Sequence, residues 1–151
     1  MRASEPRRLV ARISSALFVL AALLGSGCSS SSAPDLTVEL TIEVTSKEET
    51  NAGRPFYAVI RAVEEATYIT DSYEGIADRI FANPRDPSIL RAEVIYPGVP
   101  VEWTVHQPEA LSVGVYFLFT DPGDGWKIIR SAPLPKAIEV ELGVNDVTSV
   151  N

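Results

Sequence analysis

Residues 36–45 read "LTVELTIEVT". Leu36, Val38, Leu40, Ile42 and Val44 alternate without a break with Thr37, Glu39, Thr41, Glu43 and Thr45. Successive side chains along a strand point to opposite faces, so this period of two predicts a strand with one face on a core and the other in water. It excludes a strand buried on both faces, as in a parallel α/β sheet.

Outward from this strand the same logic repeats. "SKEETNAGRP" (Ser46, Lys47, Glu48, Glu49, Thr50, Asn51, Ala52, Gly53, Arg54 and Pro55) is polar and ends in Gly and Pro, which predicts a loop. It is longer than the about 2–5 residues of a common hairpin connection. Phe56 to Val63 is apolar and rich in β-branched residues, a second strand. The period then changes. Ile69, Tyr73, Ile76, Ala77, Ile80 and Phe81 fall at helical spacing, Asp71 with Glu74 suits a capping box, and Asn83-Pro84 closes the segment. This predicts one short inserted helix.

After "NPRDP" the strands resume. Leu90 to Tyr96 stops at Pro97-Gly98, and Val99 to His106 puts Val101, Trp103 and Val105 on one face. Leu111 to Thr120 points Val113, Val115, Phe117 and Phe119 inward. "DPGDG" (Asp121 to Gly125) is a turn, with Trp126 to Arg130 pairing back across it. Ala137 to Leu142 alternates again and Asp146 to Val150 is a short last strand. Seven or eight antiparallel strands with regular turn signals predict an all-β, two-sheet antiparallel β-sandwich occupying residues 35–151.

The first 27 residues differ in kind. Arg2, Arg7, Arg8 and Arg12 precede an uncharged run from Ile13 to Leu24, and then come the small residues Gly25, Ser26 and Gly27. A basic segment, an apolar segment and a small-residue cut site make a secretory signal. An uncut anchor helix would need ~20 apolar residues, and this run ends short of that. Leu24-Gly25-Ser26-Gly27-Cys28 resembles the bacterial lipobox read by lipoprotein signal peptidase. Cys28 is the single cysteine of the 151 residues, so a disulfide within the chain has no partner. A thiolate can carry a diacylglyceryl group as a thioether, and cleavage before Cys28 frees an amine for a further acyl chain. More than one chain is needed for stable anchoring, since each buried CH₂ contributes roughly 0.8 kcal/mol. Residues 1–27 are thus expected to be a lipoprotein signal peptide, and 28–34 the lipidated Cys28 with a flexible serine-rich tether. The expected cofactor is none, beyond covalent lipid on Cys28. Ser29, rather than an Asp, after the cysteine favours the outer membrane by resemblance to the sorting rule of many Gram-negative bacteria.

Charge narrows the partners. The whole chain carries −7, and the part after the signal is more acidic still, because four arginines leave with only Glu5. This disfavours nucleic acid, which selects a basic face, and broad contact with anionic head groups. The chemical inventory is sparse as well. His106 is the only histidine, at a strand end and without a glycine-flanked serine elbow. One histidine cannot anchor zinc. The carboxylates lie mostly in turns or on polar faces, and the Asp121–Gly125 turn lacks the ligand series of a calcium loop. No heptad, internal repeat or phosphate-binding glycine loop occurs. The expectation is that the chain is not an enzyme.

The order of features resembles the type VI secretion lipoprotein family TssJ, also called SciN or VasD. The residues that carry the resemblance are the lipobox, Gly53-Arg54-Pro55 before strand two, Pro97-Gly98 after strand three, and the hairpin from Gly114-Val115 to Trp126-Lys127, where Lys127 stands in place of the usual arginine. Strand two ends "IRAVE" (Ile60 to Glu64) where members often have "RIYQL". The resemblance implies a transthyretin-like sandwich with an added helix, tethered to the outer membrane and facing the periplasm. It implies a structural adaptor that binds the periplasmic C-terminal region of the inner-membrane protein TssM, within a complex that includes TssL. It also implies that the loop from Ser46 to Pro55 is a principal TssM contact; composition alone would make that loop a solvated turn. Lys47, Glu48, Glu49 and Arg54 would then supply charge-complementary steering. The rival reading is a lipid-anchored ligand- or carbohydrate-binding module, which needs an aromatic platform or a concave pocket on the exposed sheet face.

Overall fold

A computed structural model describes residues 36–151. The expectations for the signal peptide, Cys28 and the tether lie outside the described residues.

Eight strands form two four-stranded sheets. In chain order they are β1 (Thr37–Thr45), β2 (Phe56–Val63), β3 (Ile89–Ile95), β4 (Val101–Pro108), β5 (Ser112–Leu118), β6 (Lys127–Arg130), β7 (Ala137–Leu142) and β8 (Val147–Val150). One sheet has the order β4-β1-β7-β8, the other β3-β2-β5-β6. The alternating face of β1 packs as expected: Leu40, Ile42 and Val44 are buried, with Ile138, Val140 and Leu142 of β7 and Trp103 and Val105 of β4 beside them. Across the sandwich they meet Phe56, Ala58 and Ile60 of β2 and Val113, Val115 and Phe117 of β5. This contiguous apolar cluster is the core, and its burial is the main stabilising term. The two-sheet β-sandwich expected from the sequence is the fold observed.

Two details depart from expectation. First, the sheets are not wholly antiparallel: β1 pairs antiparallel with β4 but parallel with β7, in the register Thr41 to Ala137 through Thr45 to Glu141. Hydrophobic alternation reports which face is buried and carries no information on strand direction, so the parallel pair was invisible. Second, the inserted helix is two helices, α1 (Glu65–Thr70) and α2 (Tyr73–Phe81). Asp71 is the break. It takes an extended conformation (φ −63°, ψ 118°), and its carboxylate goes inward instead of capping. Ser72 is the actual N-cap of α2, its hydroxyl accepting from the Gly75 N–H at 3.1 Å.

The helices lie over the outer face of the second sheet. Ile76 of α2 is fully buried against Val59 of β2, Ile89 of β3 and Tyr116 of β5, with Tyr68, Ile80 and Trp126 around them. Strands β2 and β5 are therefore covered on both faces. That is why "FYAVIRAV" reads as a continuous apolar run, whereas β1, whose outer face is wet, alternates.

The one charge inside that run is paired. Arg61 donates from Nη1 to Asp71 Oδ2 at 2.7 Å, and the two side chains are 3% and 4% exposed. Tyr116 Oη donates to the same carboxylate oxygen at 2.6 Å, and Arg61 Nε donates to Ser88 Oγ at 3.0 Å. Lys127 Nζ donates to the carbonyls of Tyr68 and Asp71, each at 2.8 Å, covering the C-terminal end of α1. Desolvation pushes the Tyr116 hydroxyl pKa well up, aided by its hydrogen bond to Asp71. Removing one member of such a pair leaves a buried charge uncompensated, so the network holds the helices in one place.

Candidate interaction surface

The loop between β1 and β2, residues 46–55, is built rather than slack. Thr50 and Asn51 are 0% and 1% exposed. The Thr50 hydroxyl donates to the Gly143 carbonyl at 2.7 Å and accepts from the Lys47 N–H at 3.1 Å. The Asn51 N–H donates to the Val144 carbonyl at 2.6 Å. Its side-chain amide donates to the Arg54 carbonyl at 2.8 Å, and its Oδ1 accepts from the Thr120 N–H at 2.7 Å. The loop is thus pinned to the β7–β8 turn and to the end of β5. A third brace comes from the β3–β4 turn, where the Gly98 N–H donates to Ser46 Oγ at 3.1 Å.

The backbone follows from these pins. Asn51, Ala52 and Gly53 are left-handed in succession, at φ 53°, 54° and 72°. Asn and Gly tolerate that region, and Ala does so only because its neighbours are held. Gly98 is also left-handed (φ 78°), and a Cβ there would come within 3.1 Å of Glu48 Cγ. Glycine at that turn lets the loop approach.

Of the ten residues expected to contact a partner, Lys47, Glu48, Glu49, Ala52, Gly53, Arg54 and Pro55 are exposed, and Ser46 is half-buried. Thr50 and Asn51 face inward and can act only by positioning the others. The exposed charges are two cations and two carboxylates, so the loop carries no net charge, and steering by it would rest on the pattern of its charges. The sequence reading also passed over the loop's neighbours. Tyr96 and Val99 on the β3–β4 turn and Val144 on the β7–β8 turn are 61%, 52% and 55% exposed. Each sits on a turn that touches the loop. The available signal was an apolar residue placed inside a turn sequence.

The remaining residues singled out above are placed as follows. His106 is exposed on β4 opposite Glu39, 3.5 Å from its carboxylate. Trp103 is in the core, and Trp126 is half-buried in the helix-covered layer, edge-on to Tyr73 with centroids 5.3 Å apart. The Asp121–Gly125 turn packs on the β7–β8 turn, where the Gly123 N–H donates to the Asn145 carbonyl at 3.1 Å. Among the carboxylates noted collectively in the sequence, Glu64, Glu65, Asp78, Asp121 and Asp124 are exposed. Among the described residues no group of three or more His, Cys, Asp or Glu could hold a metal ion.

A two-sheet sandwich with helices over one sheet and a braced β1–β2 loop at one end is a TssJ-like β-sandwich. The family model "IglE, N-terminal domain" matches residues 57–142, more than half of the chain, and the chain belongs to that family. Solved structures agree on the fold. The T6SS lipoprotein TssJ1 from Pseudomonas aeruginosa is similar over 77% of this chain and 96% of its own, with a TM-score of 0.59 at 12% identity. The Lip protein of Serratia marcescens, a membrane-bound component of the type VI secretion system, is similar over 73% of this chain and 95% of its own, with a TM-score of 0.58 at 13% identity. A chain in a structure described as the T6SS protein TssM C-terminal domain (869–1107) from EAEC is similar over 73% of this chain and 95% of its own, with a TM-score of 0.55 at 16% identity. No curated relative matches the chain. The resemblance drawn from the sequence motifs therefore holds for family and fold.

Proposed function

We propose that this chain is an outer-membrane-anchored periplasmic lipoprotein that serves as a structural adaptor in the trans-envelope complex of a type VI secretion system. In this reading Cys28 carries the lipid, residues 29–34 are the tether, and the sandwich binds the periplasmic C-terminal region of a TssM-like inner-membrane protein, in a complex with TssL. The observation that carries the proposal is the loop braced on three sides. A surface ordered before binding loses less conformational entropy on association, and a short loop becomes a usable binding element. The chemistry supports an adaptor over a catalyst: the buried Arg61–Asp71–Tyr116 group is closed to substrate, and among the described residues His106 has only Glu39 as an ionic neighbour. The partner is supported by the neighbour from the TssM domain structure. That neighbour ties a sandwich of this shape to a structure of the type VI secretion protein TssM, which is the support for the stated partner.

The test uses the full chain in detergent with the TssM periplasmic region of the same genome. Binding is expected, and replacing Lys47, Glu48, Glu49 and Arg54 with Ser, while keeping Thr50 and Asn51, is expected to weaken it. If a folded wild-type chain fails to bind, the partner is wrong; if the quadruple variant binds unchanged, the loop is not the contact. The ligand-binding alternative finds little support. The depressions on the exposed sheet face are lined by Glu43, Thr45, Glu139 and Glu141, or by Glu43, Pro100 and Glu102, without an aromatic platform.

A further inference from the structure

Three large exposed apolar side chains, Tyr96, Val99 and Val144, gather around the braced loop, on two different turns. Exposed apolar groups scattered singly need no explanation, but these three flank one ordered loop, Tyr96 and Val99 on its β4 side and Val144 on its β7 side. Beside them, on the outer face of the first sheet, Glu43 stands directly opposite Glu102 of β4 and directly opposite Glu139 of β7. All three are exposed, and none forms an ion pair among the described residues. Like charges directly opposed across strands destabilise a sheet. Two shallow depressions that share Thr45 lie between the row and the start of the loop, one lined by Thr45, Ser46, Lys47, Glu141 and Gly143 and the other by Glu43, Thr45, Pro100, Val101 and Glu102.

We infer that Tyr96, Val99 and Val144 together with the Glu102–Glu43–Glu139 row form one composite docking surface for a partner protein segment that carries apolar side chains followed by lysine or arginine. This rests on the adaptor reading and names the chemistry its partner must present. The apolar residues would supply the buried centre and the row the flanking charge, consistent with a loop that has no net charge of its own. A second copy of this chain is a poor occupant, because it brings the same uncompensated carboxylates and the chain is acidic overall. A lipid surface is poorer still, since anionic head groups would meet the row.

Calorimetric titration of the full chain in detergent against the TssM periplasmic region, at low and high salt, tests this. Tyr96→Ser with Val144→Ser is expected to weaken binding about tenfold or more. The triple variant Glu43→Gln, Glu102→Gln, Glu139→Gln is expected to melt at a higher temperature than wild type, yet bind more weakly and with a flatter salt dependence. Ile69→Ser, which alters an exposed apolar residue on α1, is expected to change neither. A folded double variant that binds like wild type, or a triple variant that binds more tightly, overturns the surface while leaving the adaptor reading intact. If the wild-type chain does not bind that region, the adaptor partner falls. The surface is then judged with a synthetic leucine–lysine peptide: binding lost in the triple variant supports it, and no binding overturns it. A wild-type dimer in sedimentation that Val144→Ser dissolves also overturns it, in favour of self-association.

Discussion

Asn51 does more than any other single residue to shape the loop end. Its backbone, side-chain amide and side-chain oxygen each hold a different segment, and its φ lies where Asn is tolerated and most residues are not. Asn51→Ala is expected to cost about 2–3 kcal/mol, from lost hydrogen bonds to buried groups plus left-handed strain. Asn51→Gly keeps the conformation and loses only the side-chain bonds, so it is expected to fall between wild type and Ala in urea unfolding. An order reversed between Gly and Ala would mean that the backbone conformation is not what Asn51 supplies. Asp86 is the residue with a legible pH signature. Hydrogen bonds from Ser88, and then the Arg79 partner at 2.6 Å, hold its carboxyl down at about 2 against an ordinary 3.8. Its folded pKa is depressed, so its stabilisation is present above the unfolded value and is lost as pH falls from about 4 toward about 2. Asp86→Asn is expected to flatten the stability profile in that window and to leave its slope above it unchanged.

At the scale of elements, the helix pair depends on the Arg61–Asp71 contact. Asp71→Asn keeps the shape but leaves the Arg61 charge buried without a counter-charge, an expected loss of about 3–5 kcal/mol by chemical denaturation. Ser72→Ala, which removes only a cap at an exposed helix end, is expected to cost about 1 kcal/mol. A larger loss at Ser72 than at Asp71 would show that the cap, not the ion pair, seats the helices. This element also shows what was legible and why. The strands could be read because each has a single physical signature, alternation for β1 and β7 and an apolar run for β2. The helix pair was read as one because Ile69, Ile76 and Ile80 keep a helical period straight through the break. Arg61, a lone charge inside "FYAVIRAV", was the available sign that something acidic must reach in from elsewhere. Nothing local identified Asp71 as that group, since its place before Ser72 suited a cap equally well. The loop was located correctly, but its inward-facing Thr50 and Asn51 look no different in sequence from the polar residues around them.

For the whole molecule, the described residues form one sandwich whose chain enters at the start of β1 and whose braced loop lies at the end of that strand. β1 has nine residues, which at about 3.3 Å each puts the two ends roughly 30 Å apart. On the proposed anchoring, Cys28→Ser is expected to leave the fold unchanged and to release the protein from the outer-membrane fraction. A variant that still fractionates there alone would end the lipid-anchor reading.

That placement has a mechanical consequence. Tension between a membrane-held tether and a partner-held loop would enter β1 at one end and leave at the other, along the strand axis. β1 is an inner strand, bonded to β4 on one side and β7 on the other. Pulled this way, its two ladders are loaded in shear, with many hydrogen bonds sharing the force at once because they lie across the strand. A strand peeled from an edge would give up its bonds one pair at a time. The sandwich thus places a strand bonded on both sides in line with the load that such attachments would apply.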